Sequence, residues 1–487
     1  MYNVNDIHPH LADLEKKMSD KEIEFRSVFS QLHKDQQKSA SNLLHYLVLR
    51  DHDIRDLQNK LHIAGLSSLA SSEGHIKRQL QAIRERLGHV YKKTQISDIH
   101  HEYGTKTLID RSRTLFGNKE SLTSPHIMVT FDVTFIENYG LIKTLLQNGM
   151  NVARINCAHD NESVWSQMIY LVRKACRKTG LDCKIYMDLA GPKIRTSIRY
   201  KGKMVDKINV REGDTLWLAE ENLDFSKKEI VIHPNETGIV QYLKKGNRVF
   251  IDDGVIKGEV EKVEEGRVKV RIVRISSEKS RIKSGKGLNF PDSVLQIPSL
   301  TTYDLSCLPF IVENADLVGY SFVRYASDVA QLMDYLAKYP DKKPDIIIKI
   351  ETPEAVQNLP HLLLQGMKNQ IFGVMIARGD LAVEIGFERT GEIQDEILWI
   401  CEAAHVPVIW ATQVLESLNK SGMATRSEIT DAAHAGKAEC IMINKGDYTL
   451  EVIETLKEIG ARMGGHQVKK RFTFRPLNIA RRFFNNR

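Results

Sequence analysis

Between residues 126 and 443 the chain alternates eight short β-branched runs with helical stretches, and this alternation limits the possible fold more than any other feature of the sequence. The runs fall at 126–130, 151–156, 184–188, 316–320, 345–350, 371–377, 406–410 and 440–443. A helix after each strand brings the chain back parallel to the strand before it, and eight such units close into a (β/α)8 TIM barrel. An open doubly wound sheet uses the same grammar and stays open as an alternative on pattern alone. About 125 residues separate the third run from the fourth, far more than one crossover needs. From about 197 to 290 that gap holds short alternating segments at 214–218, 229–233, 248–251, 255–263 and 267–275, with Asp252-Asp253-Gly254 and Glu264-Glu265-Gly266 as turns. Such a pattern predicts a small β domain inserted into a barrel loop.

Residues 10–115 read differently. Leu43, Leu44, Leu47, Ile54, Leu57 and Leu61 recur near a 3.6-residue period, as do Ile76, Leu80, Ile83, Leu87, Val90 and Tyr91. Gly65 to Ser68 separates the two helical stretches, with Ser68, Ser71 and Ser72 as candidate N-caps for the second. The expected layout is an N-terminal helical extension (1–120), a first part of the barrel (121–196), the inserted domain (197–290), a second part of the barrel (291–460) and a basic tail (461–487). The extension carries no catalytic constellation and reads as an appendage for interaction or regulation.

With 42% hydrophobic and 27% charged residues the 487-residue chain can bury several cores, which excludes a disordered protein and a single small module. No apolar run approaches the ~18 residues of a membrane span, and the first residues lack a signal-peptide layout, so a cytoplasmic protein without membrane partners is expected. The six cysteines show no C-x-x-C spacing and read as buried thiols. The tail from 469 onward holds seven Lys or Arg and no acid, which accounts for the whole net charge of +7. The body is neutral, and nucleic acid is not an expected partner. The four phenylalanines of the tail suit an amphipathic segment, although a solvated or docked tail is the simpler reading. His233, His361, His405 and His434 have no metal-ligand spacing and read as structural or surface residues.

In a parallel barrel, function collects where the strands end. Arg154 and Asn156 close the second run two residues apart, Asp188 closes the third, Lys349 and Glu351 close the fifth, Asp380 follows the sixth and Thr412 the seventh. A period of two puts Arg154 with Asn156, and Lys349 with Glu351, on a common side. Lys349 and Glu351 end the apolar run Ile346-Ile347-Ile348, where an isolated charge is expensive, and either a structural ion pair or a site explains them. Two carboxylates from neighbouring strands suit Mg²⁺ with open positions, Gly379 lets backbone approach an anion, and Arg154, Arg195 and Lys349 suit a phosphate-bearing substrate.

The segments NVARINCAHD (151–160), MDLAGPKIRT (187–196), IDDGVI (251–256), GKGLNFP (285–291), IKIETPEAV (348–356), VMIARGDLAVEI (374–385) and WATQVLESL (410–418) resemble, in order, the motifs of the pyruvate kinase family. The resemblance implies a (β/α)8 barrel with an inserted β-barrel lid. It also implies phosphoryl transfer from phosphoenolpyruvate to ADP, giving pyruvate and ATP, with Mg²⁺ or Mn²⁺ as cofactor. On matching positions it implies that Glu351 and Asp380 hold the metal and that Lys349 neutralises the phosphoryl group in flight. Arg154, Asn156, His159, Arg195 and Gly379 face phosphates, Lys286 contributes from the lid, and Thr412 lies beside the carbon to be protonated. The same resemblance leads to the expectation of a homo-oligomer.

Departures from the family pattern carry expectations of their own. Ala158 and Leu189 stand where the family commonly has Ser and Thr ligands for K⁺, and Lys193 replaces a common Glu, which resembles the potassium-independent branch. A usual T-I-G-P-A-S is here Thr130-Phe131-Asp132-Val133-Thr134-Phe135, and a usual S-G-E-T is Asn444-Lys445-Gly446-Asp447. About 40 residues follow the eighth run, so the C-terminal effector domain of many relatives is not expected. Two other readings remain: a non-catalytic relative that binds phosphoenolpyruvate or nucleotide, and another Mg²⁺-dependent barrel such as a lyase.

Overall fold

The computed structural model describes residues 6–119, 124–220, 223–276, 281–340 and 342–464, with the backbone of two short segments beyond. The expectations for the basic tail lie outside the described residues.

Eight parallel strands form a closed barrel: His126–Phe131, Met150–Asn156, Lys184–Asp188, Leu317–Tyr320, Asp345–Ile350, Phe372–Ala377, Val408–Ala411 and Cys440–Ile443. The first pairs with the last, Ile127 opposite Ile441, which settles the choice against an open sheet. The seventh strand starts two residues later than the sequence pattern suggests because Pro407 has no amide to give to the ladder; its carbonyl accepts from Val374 instead.

Between the third and fourth strands the chain leaves the barrel and builds an eight-stranded sheet running from Thr196–Tyr200 to Leu288–Asn289. Its core of Ile198, Leu216, Leu218, Val249, Ile251, Val260, Val268 and Val270 is a cluster of its own. Two adjacent chain passages connect it to the barrel, joined by Thr196 N to Lys286 O at 2.8 Å and Leu288 N to Ile194 O at 2.8 Å.

The N-terminal helices are not an independent appendage. Leu11, Met18, Leu43, Leu61, Ile76 and Leu80 belong to one continuous apolar cluster with the helices and strands of the barrel. The helix His101–Phe116 ends inside the barrel floor, where Leu115 and Phe116, both 0% exposed, pack with Met128, Val152, Ile347 and Ile409. Periodicity shows that a helix has an apolar face but not what covers it. The run from 43 to 61 is two helices, Gln37–Arg50 and Arg55–Ile63; between them the Asp53 carboxylate accepts the Arg55 amide at 3.1 Å, forming a local turn. None of the candidate serines caps the helix Ile76–Arg86; the Ser72 hydroxyl donates to Leu69 O. His405 is structural, held between Ser39 Oγ at 3.0 Å and Gly74 O at 2.8 Å. All six cysteines are thiols rather than disulfides, and five are buried. Among the described residues no helix is long and apolar enough to cross a membrane.

Candidate active site

Inward-facing positions recur every second residue along a strand, so the barrel interior is layered. Met128, Val152, Tyr186, Leu317, Ile347, Met375 and Ile409 form an apolar layer above the floor. Two residues further along the same strands stand Thr130, Arg154, Asp188, Gly319, Lys349, Ala377 and Ala411. The change from apolar to charged therefore happens on one level, next to the C-terminal rim.

Asp188 is the hub of that level, at 1% exposure. Its Oδ2 accepts from Arg154 Nε at 3.0 Å and Nη2 at 2.5 Å. Its Oδ1 accepts from Tyr186 OH at 3.2 Å and lies 3.2 Å from Lys349 Nζ. Burial would push its carboxyl up, but Lys349 and Arg154 together hold it below the usual range. The hub depends on a missing side chain: a Cβ on Gly319 would lie 1.9 Å from Tyr186 OH and 2.4 Å from Asp188 Oδ1. Arg154 also donates to Thr130 Oγ1 at 3.2 Å, which extends the network to the first strand.

Lys349 bridges this hub to the proposed metal carboxylates. Its ammonium sits 3.1 Å from Glu351 Oε1 and donates to Ser321 Oγ at 2.7 Å. Burial would lower its pKa, but Asp188 and Glu351 raise it above the ordinary value, so it remains charged. Glu351 Oε2 accepts the Phe322 amide at 2.6 Å. Burial pushes the Glu351 carboxyl above its usual range; Lys349 opposes that shift, and the charge of nearby Asp380 adds to it. A buried carboxylate whose cost of ionisation is raised by a neighbouring carboxylate fits a divalent cation. Among the described residues no three His, Cys, Asp or Glu side chains converge as a metal cluster, so an ion here would leave most of its coordination to substrate oxygens and water.

On the far side of Asp380 stands Lys193, with Nζ 2.8 Å from Asp380 Oδ1 and 3.5 Å from Asp253 Oδ1 of the lid. Leu189 turns into the apolar core, and Ala158 offers no oxygen beyond its backbone. Both oxygens of Asp188 already face protein cations or a hydroxyl.

Gly379 and Thr412 meet directly, the Gly379 amide donating to Thr412 Oγ1 at 2.9 Å, which leaves the hydroxyl proton free to point elsewhere. Thr412 has φ +68°, an unusual backbone for a β-branched residue, and needs support from its surroundings. Arg378 provides it: Nε and Nη2 donate to the carbonyls of Ala411 (3.2 Å) and Thr412 (2.5 Å). The guanidinium also pairs with Asp431 at 2.6 Å and lies 4.7 Å from the Trp410 ring centroid.

The remaining expected residues stand further out. Asn156 Oδ1 is committed to a turn, accepting the Ala158 amide at 3.1 Å. His159 sits at the mouth, its pKa lowered by burial and by the charge of Arg195. Arg195 donates to Gly285 O at 3.0 Å at the lid junction. Lys286 pairs with Asp252 at 2.9 Å within the lid, apart from the ring around Lys349. Sequence reasoning placed Asp188 at a strand end without giving it a role, and missed Ser321, Tyr186 and Arg378 as supports.

It also missed Glu384, which joins barrel to lid by accepting from Asn289 Nδ2 at 2.8 Å. Burial, with Asp380 and Glu354 adding, pushes its carboxyl up to about 7. Between about pH 4.5 and 7 the folded chain then binds more protons here than the unfolded one, so this contribution to stability falls as pH rises through that window. Asn289 Oδ1 is buried with no hydrogen-bond partner among the described residues. Glu384→Gln keeps the existing bond, offers that oxygen a donor and removes the charge. The variant is expected to melt higher than the parent at pH 8 and equally at pH 4.5; equal melting at both would place Glu384 in contact with solvent.

Barrel, inserted sheet and charged rim define a (β/α)8 protein with an inserted domain, whose buried charges gather at the C-terminal rim. The pyruvate kinase barrel-domain family model matches residues 127–453, two thirds of the chain. The pyruvate kinase of Dictyostelium discoideum is 33% identical over 343 residues, covering 68% of this chain and 65% of its own length. That of Sporosarcina psychrophila is 32% identical over 330 residues (66% and 54%). That of Thermococcus litoralis is 32% identical over 327 residues (65% of each). The chain belongs to the pyruvate kinase family. It spans between about half and two thirds of the length of these relatives.

Proposed function

We propose that this chain transfers the phosphoryl group of phosphoenolpyruvate to ADP. The observation that carries the reading is the Lys349 ammonium, kept charged and buried between Asp188 and Glu351 at the rim of a family barrel. The bond between phosphorus and the enol oxygen breaks, a bond to the terminal phosphate oxygen of ADP forms, and the enolate takes a proton on carbon. Such transfer needs little covalent help from protein and much positioning and charge stabilisation.

Lys349 neutralises charge on the moving group, while Arg154, anchored through Asp188, presents its remaining donors to phosphate oxygens. Asn156, His159 and Arg195 line the approach, and Lys286 joins from the lid by exchanging Asp252 for a phosphate. Thr412 Oγ1, held by the Gly379 amide, stands by the carbon to be protonated, directly or through a water. Glu351 and Asp380 would hold Mg²⁺, or Mn²⁺, which when bound supplies charge neutralisation at phosphoryl oxygens.

Incubation with phosphoenolpyruvate, ADP and Mg²⁺, following pyruvate and ATP together, tests the reading. Equal appearance of both supports it. Ligand binding without either product indicates a non-catalytic relative, and pyruvate without ATP a lyase-like or hydrolytic barrel.

The monovalent ion has its own test. Leu189 is turned into the core, Asp188 is occupied by Arg154 and Lys349, and the Lys193 ammonium already sits at Asp380. Full turnover is expected in Na⁺ or Tris buffers without K⁺, and strong activation by K⁺ would contradict the role given to Lys193.

A further inference from the structure

Opposite the charged rim, at the end of the barrel where the strands begin, the helix His101–Phe116 borders a cavity of about 330 Å³. Gly104, Leu108 and Ser112 line it along one helix face, with Ile109 and Arg113 beside them. The facing wall comes from His405, Ala438 and His126, at the entrances of the seventh, eighth and first strands. Protein interiors seldom leave voids much larger than a water, and this space has the size of a small-molecule site. We propose that it binds an amphipathic carboxylate, an unbranched apolar chain with one anionic head; the assignment is independent of the activity proposed above.

The walls are held in place from several directions. A Cβ on Gly104 would lie 2.6 Å from Gly74 O and 2.9 Å from His405 Nε2, so the helix meets its neighbours directly at that end. Further along, Arg111 donates to His405 O at 2.8 Å, and Leu115 and Phe116 are fixed in the barrel floor. A site shaped in advance spares a ligand the cost of ordering it.

The two ends of the cavity differ in charge. Arg113 follows Gly104 by nine residues, about 13 Å along the helix axis. Burial lowers the affinity of His126 for a proton, to about 4, and the charges of Lys119 and, more weakly, Arg113 add to the effect, so both cations stand at that end. Lys119 Nζ donates to Ser124 O at 2.6 Å, and an ammonium has further donors to offer. Arg113 is exposed and has no ion-pair partner among the described residues. Glu439, on the same wall, is turned to the Val408 amide at 2.9 Å. Glu73 and Glu402 belong to the other end: the Glu402 carbonyl approaches Gly74, and both charges add to the upward push that burial gives the Tyr46 hydroxyl. An anionic head is therefore repelled near Gly74 and attracted near Arg113. Between the two ends Leu108, Ile109, Pro125 and Ala438 offer hydrocarbon to an apolar chain.

A loosely packed seam between the N-terminal helices and the barrel is the competing role. Titration calorimetry and thermal melting of the full chain with octanoate, octanol and octylamine distinguish the two, because the three probes share one body and differ in the head. Octanoate is expected to bind saturably and to raise the melting temperature. Its affinity should exceed that of octanol and octylamine by about tenfold or more, the effect of one charged hydrogen bond. Arg113→Gln should weaken octanoate by about tenfold and leave octanol within about twofold, while Arg113→Lys keeps most of the preference. Ile109→Trp, which fills the space, should abolish octanoate binding; the exposed Arg113 variants carry the test if that one fails to fold. No saturable binding of octanoate by the parent chain overturns the proposal. So do equal affinities for octanoate and octylamine, unchanged octanoate binding in Arg113→Gln, or unchanged binding in a folded Ile109→Trp.

Discussion

If the chain has the proposed activity, Lys349→Met is expected to lower turnover with phosphoenolpyruvate and ADP by at least two to three orders of magnitude while the chain stays folded. The kinetic part follows from removing a preorganised charge from a dry site, where one such group is worth roughly 10²–10³ in rate. Folding survives because neither neighbour is stranded. Asp188 keeps both Arg154 contacts and the Tyr186 hydroxyl. Glu351 keeps the Phe322 amide, and with its carboxyl already pushed up by burial it can take a proton in place of the lost cation. Circular dichroism and thermal melting check the fold, and a coupled assay of both products checks the rate. Near-normal turnover in a folded variant would refute the role of Lys349.

Asp188→Asn has the opposite character: its larger expected effect is on stability. Asparagine fills the same space under Gly319 but removes the one negative charge that Arg154 and Lys349 share. Their side chains are 12% and 9% exposed, so two cations would face each other with little water to screen them. Breaking a buried pair from one side typically costs about 3–5 kcal/mol, much of it the cost of the uncompensated partner. Urea denaturation is expected to show a loss of that size with an unchanged slope, together with a fall in turnover because Arg154 loses its anchor. A loss below about 1 kcal/mol would mean that water reaches the ring and screens it.

The barrel was legible because every strand is a short apolar run closed by a polar residue, and that local pattern survives whatever the strand packs against. The rim residues were legible for the same reason. Lys349 and Glu351 end a run of isoleucines, where charge needs an explanation. Asp188 carries the same signal, ending the run that contains Tyr186, but its role depends on reach between strands, and no linear pattern states which level of one strand faces which level of the next. Glu384 and Asn289 are 95 residues apart and Asp132 and Lys445 are 313 apart. Only closure of the barrel and return of the lid bring them together. The N-terminal helices show the limit most plainly: their amphipathic period announced a buried face, while its partners, barrel helices such as Thr390–Ala403, lay beyond the reach of periodicity, as did the barrel floor that Leu115 and Phe116 close.

That floor has an electrostatic consequence. Leu115 and Phe116 stopper the lower end of the barrel with hydrocarbon, so the ring of Arg154, Asp188, Lys349 and Glu351 borders an insulator below and solvent above. Field lines from such a ring are focused toward the open end. An anionic visitor would feel its pull from one direction, and the charge it brings would be answered from beneath by groups that water cannot approach from behind.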